Sequence, residues 1–382
     1  MARLLQKRRK FDDAHWMDRA LALARRSEGL ASPNPMVGAV IVRNGQVVGE
    51  GFHTYAGRKH AEILALEAAG KQARGATLYV NLEPCCHQGR TGPCTKALIE
   101  AGVRRVVVAI RDPNPAVAGR GLRQLRSAGI KVETGLFGAE AQRLNMAFAR
   151  WIATQKPLVT LKSAMSLDGR IAARAGSTTW LTSAESLAEV HRIRHSADAL
   201  ITGVGTVLAD NPRMSDRSGL PRRRPLLRVV LDSHLRLPLR SKLVRNVKGD
   251  LLVFTARALN SPRARELRHA GVEIEQVPTR RGRLSLDAVL AALGKRGILH
   301  ALVEAGAKLN GAFLGESLVD RLILFIAPRT LGENAVPFAI FGTGASRRRS
   351  LAHLPYLRVI SVRQFGPDLC IEGTFRDVYR DH

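Results

Sequence analysis

The segment Ala76–Cys94, ATLYVNLEPCCHQGRTGPC, decides the fold of the first half of this 382-residue chain. Its first seven residues are rich in Leu, Tyr and Val and predict a buried strand. Glu83 and Pro84 end that strand in a loop that carries three cysteines, and a helix is predicted to follow from Thr95 to Ala101. A strand that runs through a loop into a helix is typical of α/β proteins.

The same alternation extends on both sides of this segment. Upstream, apolar spacing predicts a helix near Trp16, Asn44-Gly45 predicts a hairpin with a type I′ turn, and His60–Gly70 predicts a second helix. Downstream, RRVVVAI and KVETG predict two more strands with a helix between them. The first half is therefore predicted to be an α/β/α sandwich.

A change of pattern predicts a boundary between two domains, 1–155 and 156–382. A helical segment ends at TQKP, and the apolar run LVTLKSAM then begins a new strand. The second half is also predicted to be α/β. Its strands are predicted at 199–202, 227–231, 251–254, 272–277, 301–304, 322–327, 359–365 and 369–375, with helices at 185–195 and 286–293.

Composition narrows the classes of function. The longest apolar runs, such as Val106–Ile110 and Leu322–Ala327, are far shorter than the ~18 residues that span a bilayer. Four cysteines and the lack of a secretory signal pattern predict a reducing cytoplasm. The net charge of +28 suggests a polyanionic partner, but the basic excess is spread along the chain. Nucleic acid is therefore not the expected partner, whereas small phosphorylated ligands are compatible.

His60, Cys85 and Cys94 offer one imidazole and two thiolates, a donor set that leaves the fourth position of a tetrahedral zinc ion open. An open position indicates a catalytic metal that activates water, and a carboxylate outside the ligand set then carries the proton. Glu62 has that place in the H-x-E and P-C-x-x-C signature of zinc deaminases. The chain departs from this signature because its second thiolate lies nine residues after the first.

Each of these residues also has a simpler interpretation, as a helix cap, a solvated carboxylate or a small buried thiol. Cys86 and His87 are alternative ligands, less favoured because Cys85 directly follows proline. Residues two apart do not share a helix face, so His60 and Glu62 can converge only at the first turn. A structural zinc site and an RNA-binding deaminase remain alternatives, although the second half contains no RNA-recognition motif.

The second half lacks a G-x-G-x-x-G turn after its first strand. Instead, Val303–Leu314, VEAGAKLNGAFL, predicts a strand, a glycine and a helix whose first N–H groups, from Gly306 to Asn310, point at a pyrophosphate. This pattern occurs throughout α/β proteins, so alone it does not establish a nucleotide site. An arginine-rich loop, Arg222–Arg224, is either a reader of a 2′-phosphate or plain solvated charge.

The string LEPCCHQGRTGPC, with HAE before it and DPNPAVAGRG after it, resembles the deaminase half of bacterial bifunctional riboflavin-biosynthesis deaminase/reductases. Gly92 stands where that family commonly has proline. KSAMSLDGRIA, TTWLTS, ITGVGTVLADNPRM, LDS and LVEAGAKLNGAFL follow in the order of the family's reductase half, which resembles the dihydrofolate-reductase fold. The resemblance covers nearly the whole chain.

The resemblance implies zinc on His60, Cys85 and Cys94, proton transfer by Glu62, and hydrolytic loss of the 2-amino group of 2,5-diamino-6-(5-phosphoribosylamino)pyrimidin-4-one. It further implies NADPH reduction of the ribosyl group of 5-amino-6-(5-phosphoribosylamino)uracil to a ribityl chain. A homo-oligomer that binds this small phosphoribosylated pyrimidine, without a membrane partner, is expected.

The resemblance also implies two sets of contacts in the reductase half. NADPH contacts are implied at Ala164, Trp180, Thr206, Asp210, Ser233, Gly306, Ala307, Lys308, Leu309, Asn310, Gly311 and Ala312. Substrate contacts are implied at Thr178, Arg194, Met214, Arg217 and Glu304. Ala164, Thr178 and Met214 differ from residues that the family also uses there. Arginine binds phosphate bidentately, and Glu304 can accept hydrogen bonds from a ribose hydroxyl or a pyrimidine N–H.

Overall fold

Runs of Val, Ile and Leu form the strands in both halves of the chain, and the Ala-rich and Leu-rich segments between them form helices. The computed structural model describes residues 12–57, 59–88, 92–176, 180–341 and 356–380. The chain divides into two units, Met1–Ala153 and Thr154–His382, two residues before the predicted boundary. Among the described residues, none of the helices is long and apolar enough to cross a bilayer.

The helices of the described residues are α1 (Asp13–Arg25), α2 (Ala61–Ala69), α3 (Cys94–Glu100), α4 (Arg120–Ser127), α5 (Gly138–Leu144), α6 (Met146–Thr154), α7 (Ala184–Ser196), α8 (Val204–Asp210), α9 (Lys242–Arg245), α10 (Pro262–His269), α11 (Leu286–Lys295) and α12 (Ala307–Gly315). A short 3₁₀ helix, Gly70–Ala73, follows α2.

The strands of the described residues are β1 (Gly38–Arg43), β2 (Gln46–Phe52), β3 (Thr77–Leu82), β4 (Arg105–Ile110), β5 (Lys131–Thr134), β6 (Leu158–Ser166), β7 (Arg170–Ala172), β8 (Ala199–Gly203), β9 (Leu227–Leu231), β10 (Leu251–Thr255), β11 (Glu273–Gln276), β12 (Thr279–Arg280), β13 (Arg283–Leu284), β14 (His300–Val303), β15 (Arg321–Ala327), β16 (Val336–Pro337), β17 (Arg358–Phe365) and β18 (Asp368–Thr374).

The sheet of the first unit has the strand order β2-β1-β3-β4-β5 within the described residues. The hairpin β1–β2 turns at Asn44 and Gly45, both in the left-handed region with φ of 52° and 69°, as a type I′ turn requires. Strands β3, β4 and β5 are parallel, so the loops that leave their carboxyl ends lie on one edge of the sheet. The loop with Cys85 leaves β3 at this edge.

The main sheet of the second unit has the order β11-β10-β9-β8-β14-β6-β15-β18-β17 within the described residues. Its strands from β11 to β15 in that order are parallel. Strand β18 is antiparallel to β15, and β17 is antiparallel to β18. Neighbours such as Leu200 and Ile201 belong to different hydrophobic clusters, because successive side chains point to opposite faces. Both faces of the sheet are therefore buried, as parallel sheets require. The predicted two-domain α/β fold is confirmed.

Candidate functional sites

His60, Cys85 and Cys94 meet in the first unit, although they lie on three separate elements. His60 precedes α2, Cys85 lies in the loop after β3, and Cys94 is the first residue of α3. His60 Nδ1 lies 3.2 Å from the Cys94 Sγ and 3.4 Å from the Cys85 Sγ. The three atoms lie within 4.8 Å of one another. One imidazole nitrogen and two sulfurs at this spacing fit a zinc ion that keeps an open position.

The backbone conformation at His60 explains how the side chains of His60 and Glu62 can lie close together although the residues are two apart in the sequence. His60 is the N-cap residue of α2 and has extended torsion angles, φ −73° and ψ 158°. Glu62 lies inside the first turn of the helix, so the two side chains need not share a helical face. The convergence predicted at the first turn is present here.

Glycines in β2 let α2 approach the sheet closely. A Cβ at Gly51 would lie 2.7 Å from the Ala61 carbonyl oxygen, and one at Gly49 would overlap the Ala65 carbonyl. Only glycine permits such contact between a strand and a helix backbone. This packing fixes the position of the first turn of α2, and with it His60 and Glu62.

Electrostatics favour a thiolate at the cluster. Hydrogen bonding from the Cys94 thiol, helped by His60, lowers the pKa of Cys85 to about 4. The Cys94 backbone N–H also donates to the Cys85 Sγ at 3.4 Å. The Cys85 hydrogen bond raises the pKa of Cys94 in turn. A thiolate is the form that binds metal, so the site is prepared for a cation.

Glu62 is buried next to the cluster, with 4% of its surface exposed. Burial raises its pKa to about 7, and the Cys94 side chain is a hydrogen-bond partner of the carboxyl. A second imidazole, His53, packs edge-on against His60 with ring centroids 5.4 Å apart. His53 Nδ1 donates to the Lys59 carbonyl, so its Nε2 accepts from the Asn34 amide at 2.9 Å. Two buried polar side chains, Glu62 and His53, thus lie beside the predicted metal site.

Glu83 holds the loop beside the cysteines, a role that the sequence analysis missed. Its buried carboxylate accepts hydrogen bonds from the backbone N–H groups of Asp112, Gly119 and Leu122, at 3.1, 2.8 and 3.2 Å. Glu83 stands two residues before Cys85, so these bonds tie the cysteine loop to the loop after β4 and to the first turn of α4. The sequence Glu83-Pro84-Cys85 shows that Glu83 is close to the cysteine loop. The three N–H groups that donate to its carboxylate can be identified only from the structure.

In the second unit, Arg194 and Glu304 form a forked ion pair. The Nε and one terminal nitrogen of Arg194 donate to the two carboxylate oxygens at 2.9 and 2.7 Å. Burial raises the pKa of Glu304, but the charges of Arg194 and Lys162 outweigh it and bring the pKa down to about 2. Lys162 was not singled out from the sequence, although it begins the KSAMSLDGR motif. Arg217 is exposed, and it and Arg194 both act electrostatically on His191.

Residues expected to bind NADPH gather where parallel strands end. Ser233 follows β9, Gly306 follows β14, and Thr206 lies on α8 directly after β8. A Cβ at Gly306 would lie 3.9 Å from the Thr206 hydroxyl oxygen, so α8 and the start of α12 are neighbours. The carboxyl ends of parallel strands are the usual place for such ligands.

The C-terminal part of the Gly306–Ala312 segment packs against the segment that contains Phe338 and Ile340. The Asn310 amide donates to the Phe338 carbonyl at 2.9 Å, and a Cβ at Gly311 would overlap the Ile340 carbonyl. Ala307 is buried, whereas Lys308 is exposed, and Leu309 and Ala312 are partly buried. The start of α12 is therefore the part best placed to meet an anion.

Comparison with known proteins covers both units. Residues 157–371 match the family model described as "RibD C-terminal domain", and residues 10–110 match "Cytidine and deoxycytidylate deaminase zinc-binding region". The riboflavin biosynthesis protein RibD of Aquifex aeolicus is 41% identical over 359 residues, which are 94% of this chain and 97% of that protein. The chain belongs to the RibD family.

Two solved RibD structures support the same relationship. The Acinetobacter baumannii RibD structure is 40% identical with a TM-score of 0.83, covering 95% of this chain and 98% of that one. A Thermotoga maritima structure, described as a diaminohydroxyphosphoribosylaminopyrimidine deaminase/5-amino-6-(5-phosphoribosylamino)uracil reductase, is 33% identical with a TM-score of 0.79. It covers 94% of this chain and 98% of that chain. As a RibD protein, the chain is a bifunctional enzyme of riboflavin biosynthesis with a zinc-binding deaminase domain and a reductase domain.

The other residues expected from the RibD resemblance lie in several different environments. Thr178 lies outside the described residues. Met214 is buried in the core, and the carbonyl of its neighbour Ser215 accepts a hydrogen bond from Arg194 at 3.2 Å. Trp180 is 78% exposed, Asp210 is exposed at the end of α8, and Ala164 packs against the core from β6.

The structure also gives the positions of residues for which the sequence left two interpretations open. Among described residues, the cluster that can hold a metal contains neither Cys86 nor His87. Arg222 donates to the carbonyls of His195 and Ala197 at 2.7 and 2.6 Å. Arg224 donates to the Gly297 carbonyl at 2.7 Å. These two arginines are therefore held by the fold rather than left as plain solvated charge.

Proposed function

We propose that the first unit hydrolyses 2,5-diamino-6-(5-phosphoribosylamino)pyrimidin-4-one at its 2-amino group, and that the second reduces the product, 5-amino-6-(5-phosphoribosylamino)uracil, with NADPH. The observation that carries the proposal is the convergence of the His60 imidazole and two cysteine sulfurs beside buried Glu62. The Thermotoga maritima relative, whose description names both activities, supports the choice of substrates.

In the deaminase reaction, His60, Cys85 and Cys94 would hold a zinc ion, which when bound would activate water at neutral pH. Glu62 accepts a proton from the attacking water and delivers it to the departing nitrogen. The C–N bond breaks, ammonia leaves, and the carbon keeps the water oxygen as a carbonyl, while the second proton of the water passes to the adjacent ring nitrogen. The buried position of Glu62 keeps bulk water away from this proton.

In the reductase reaction, the N–H groups at the start of α12 hold the cofactor pyrophosphate, with Thr206 beside them. When bound, NADPH would supply the hydride that the anomeric carbon gains. The bond from that carbon to the ring oxygen breaks, and the oxygen takes a proton from water to give the ribityl chain. Arg217 binds the substrate phosphate, and the Arg194–Glu304 pair orients the ribosylamino group.

Metal analysis combined with separate assays of the two reactions tests this function. The wild-type chain is expected to contain one zinc ion, to release ammonia from the diaminopyrimidine phosphate, and then to consume nicotinamide absorbance. Cys85→Ser should lose zinc and deamination but still reduce the deaminated intermediate. Cys86→Ser is the matched control and should retain both reactions. Zinc-free protein that still releases ammonia would contradict the proposed site.

We further propose that the enzyme is cytoplasmic and forms a homo-oligomer. Light scattering at the concentration of the activity assay measures the assembly, and a monomer that is fully active in both reactions would rule out a need for it. Fractionation of the source cells measures the location.

A further inference from the structure

Helix α4 joins the two segments of the first unit that carry the cysteine sulfurs. Cys85 lies in the loop after β3, and Cys94 begins α3, so neither residue belongs to α4 itself. Glu83, two residues before Cys85, is hydrogen-bonded to the start of α4. Thr95, one residue after Cys94, is hydrogen-bonded to the middle of α4. The contacts of this one helix therefore reach both sulfur-bearing segments.

Glu83 caps the amino end of α4. The residue before the helix, Gly119, has a φ of 83° and no side chain, so it cannot supply the usual capping oxygen. The Glu83 carboxylate accepts instead from the Gly119 N–H at 2.8 Å and from the Leu122 N–H, in the first turn, at 3.2 Å. The helix dipole favours a negative charge at this end, and charged acceptors make the stronger hydrogen bonds. The cysteine loop is thus attached to α4 through a charged group.

The backbone of α4 also packs directly on the cysteine loop. A Cβ at Gly121 would overlap the Pro84 carbonyl oxygen and would lie 3.2 Å from Glu83 Oε1. Glycine is the residue that permits so close an approach of two backbones. Because Pro84 lies between Glu83 and Cys85, this packing fixes the chain immediately before the first sulfur.

A second contact attaches α4 to the segment that begins with Cys94. Thr95 is fully buried, and its hydroxyl donates to Gln124 Oε1 at 2.6 Å. Its backbone N–H donates to the Cys85 carbonyl at 3.2 Å. Gln124 lies two residues after Leu122 on the same short helix. A displacement of α4 would therefore move the start of α3 and the cysteine loop together.

We propose that α4 is a clamp that sets the separation of the Cys85 and Cys94 sulfurs, with Glu83 and Gln124 as positioning residues for the metal. The proposal rests on the proposed zinc site, whose three ligand atoms lie within 4.8 Å of one another. Zinc takes its ligands at defined distances, so sulfurs that are held in place bind it without the cost of ordering the loop. Residues that orient ligands in this way commonly contribute about 10- to 100-fold to metal affinity.

Metal binding by the full chain tests the clamp. Competition with a chromophoric chelator measures zinc affinity, and Co²⁺ bound in place of zinc gives absorption bands that report the geometry of the sulfur ligands. Glu83→Gln keeps the size of the side chain but replaces one acceptor oxygen with an amide donor. We expect it to bind zinc at least about tenfold more weakly and to shift the Co²⁺ bands. Glu100→Gln, the same change at an exposed site on α3, should bind both ions as wild type does.

Gln124 offers a second pair of variants at an exposed position, where substitution does not endanger folding. Gln124→Met removes the acceptor of the Thr95 hydroxyl and should weaken zinc binding severalfold. Gln124→Glu keeps an acceptor oxygen and should bind zinc as wild type does. Because both contacts act through one helix, Gln124→Met should weaken binding less in the Glu83→Gln chain than in wild type.

Four results would overturn the clamp. The first three are equal zinc affinity in Glu83→Gln and Glu100→Gln, equal affinity in Gln124→Met and Gln124→Glu, and effects of Glu83→Gln and Gln124→Met that multiply in full. The fourth is a lower unfolding temperature of metal-free Glu83→Gln with unchanged Co²⁺ bands, which would give Glu83 a role in stability alone. Wild type that binds neither ion would refute the zinc site itself, whereas these four results refute the clamp and leave the zinc site standing.

Discussion

The proposed acid–base chemistry of the first unit depends on one carboxyl group, that of Glu62, which is 4% exposed beside the cysteine sulfurs. Glu62→Gln keeps the size of the side chain but cannot take a proton from water. We expect deamination to fall by about 100-fold or more, the usual contribution of general acid–base catalysis. Zinc content and reductase activity should not change, because Glu62 is not a ligand. Ammonia release and metal analysis on the same preparation measure both.

Glu67→Gln is the control for this change, since Glu67 lies on the same helix but faces solvent, where it pairs with Lys59. It should behave as wild type. If Glu62→Gln deaminates normally with zinc bound, the site is structural and the proton is carried by another group. That result would favour the alternative of a zinc site without catalysis.

Glu304 gives the second unit a pH-dependent contribution to stability. Burial raises its pKa, but Arg194 and Lys162 outweigh burial and hold the pKa at about 2, below its ordinary value of 4.5. A lowered carboxyl pKa stabilises the fold above pH 4.5, and the contribution is lost as pH falls toward 2. The difference in unfolding free energy between wild type and Glu304→Gln should therefore shrink by about 3 kcal/mol over that range. Urea unfolding at several pH values measures it, and a difference independent of pH would contradict the assignment.

The sequence was sufficient to predict that His60, Cys85 and Cys94 meet, but not which residues support them. His60, Cys85 and Cys94 are found together because zinc needs those donor types, and donor types are visible in a sequence. Glu83 and Lys162 were missed because their roles come from contacts with residues distant in the chain: a backbone loop in one case and Glu304 in the other.

At the scale of elements, the packing of α2 on β2 determines where His60 and Glu62 stand. Gly51→Ala would put a Cβ 2.7 Å from the Ala61 carbonyl oxygen, so the first turn of α2 must move. We expect a loss of about 1–3 kcal/mol in stability, as for other overpacked sites, and weaker zinc binding. Thermal unfolding and competition with a chelator measure the two effects.

Val48→Ala, in the same strand, is the control because it removes atoms instead of adding them. It should cost some stability yet keep the zinc affinity of wild type. Equal zinc affinity in Gly51→Ala and wild type would mean that α2 adapts without moving His60.

The lengths of the helices and strands explain which parts of the second unit could be predicted from the sequence. Long periodic segments were located closely: the helix predicted at 185–195 is α7, Ala184–Ser196, and the strand predicted at 227–231 is β9. Short helices such as α8 and α9 were not predicted, since four to seven residues carry too little periodicity to distinguish them from loops. The contact of Arg194 with the Ser215 carbonyl depends on the path of the α8–β9 loop, so it too required coordinates.

At the scale of the molecule, each unit has the parts of an independent domain. The first has its own five-stranded sheet within the described residues and all three predicted zinc ligands. The second has a sheet buried on both faces and the Arg194–Glu304 pair. No predicted ligand of either site comes from the other unit, so the chemistry of each reaction is expected to stay with its own unit.

Separate expression of residues 1–153 and 154–382 tests this independence. Each fragment should unfold cooperatively, because its sheet and core are complete without the other. The first should bind zinc and release ammonia from the diaminopyrimidine phosphate, and the second should oxidise NADPH with the deaminated intermediate. An equimolar mixture serves as the control for any loss caused by separation. If the second fragment folds but reduces its substrate only when the first is added, the reductase site draws on the first unit, and the boundary at 153/154 does not separate the two activities.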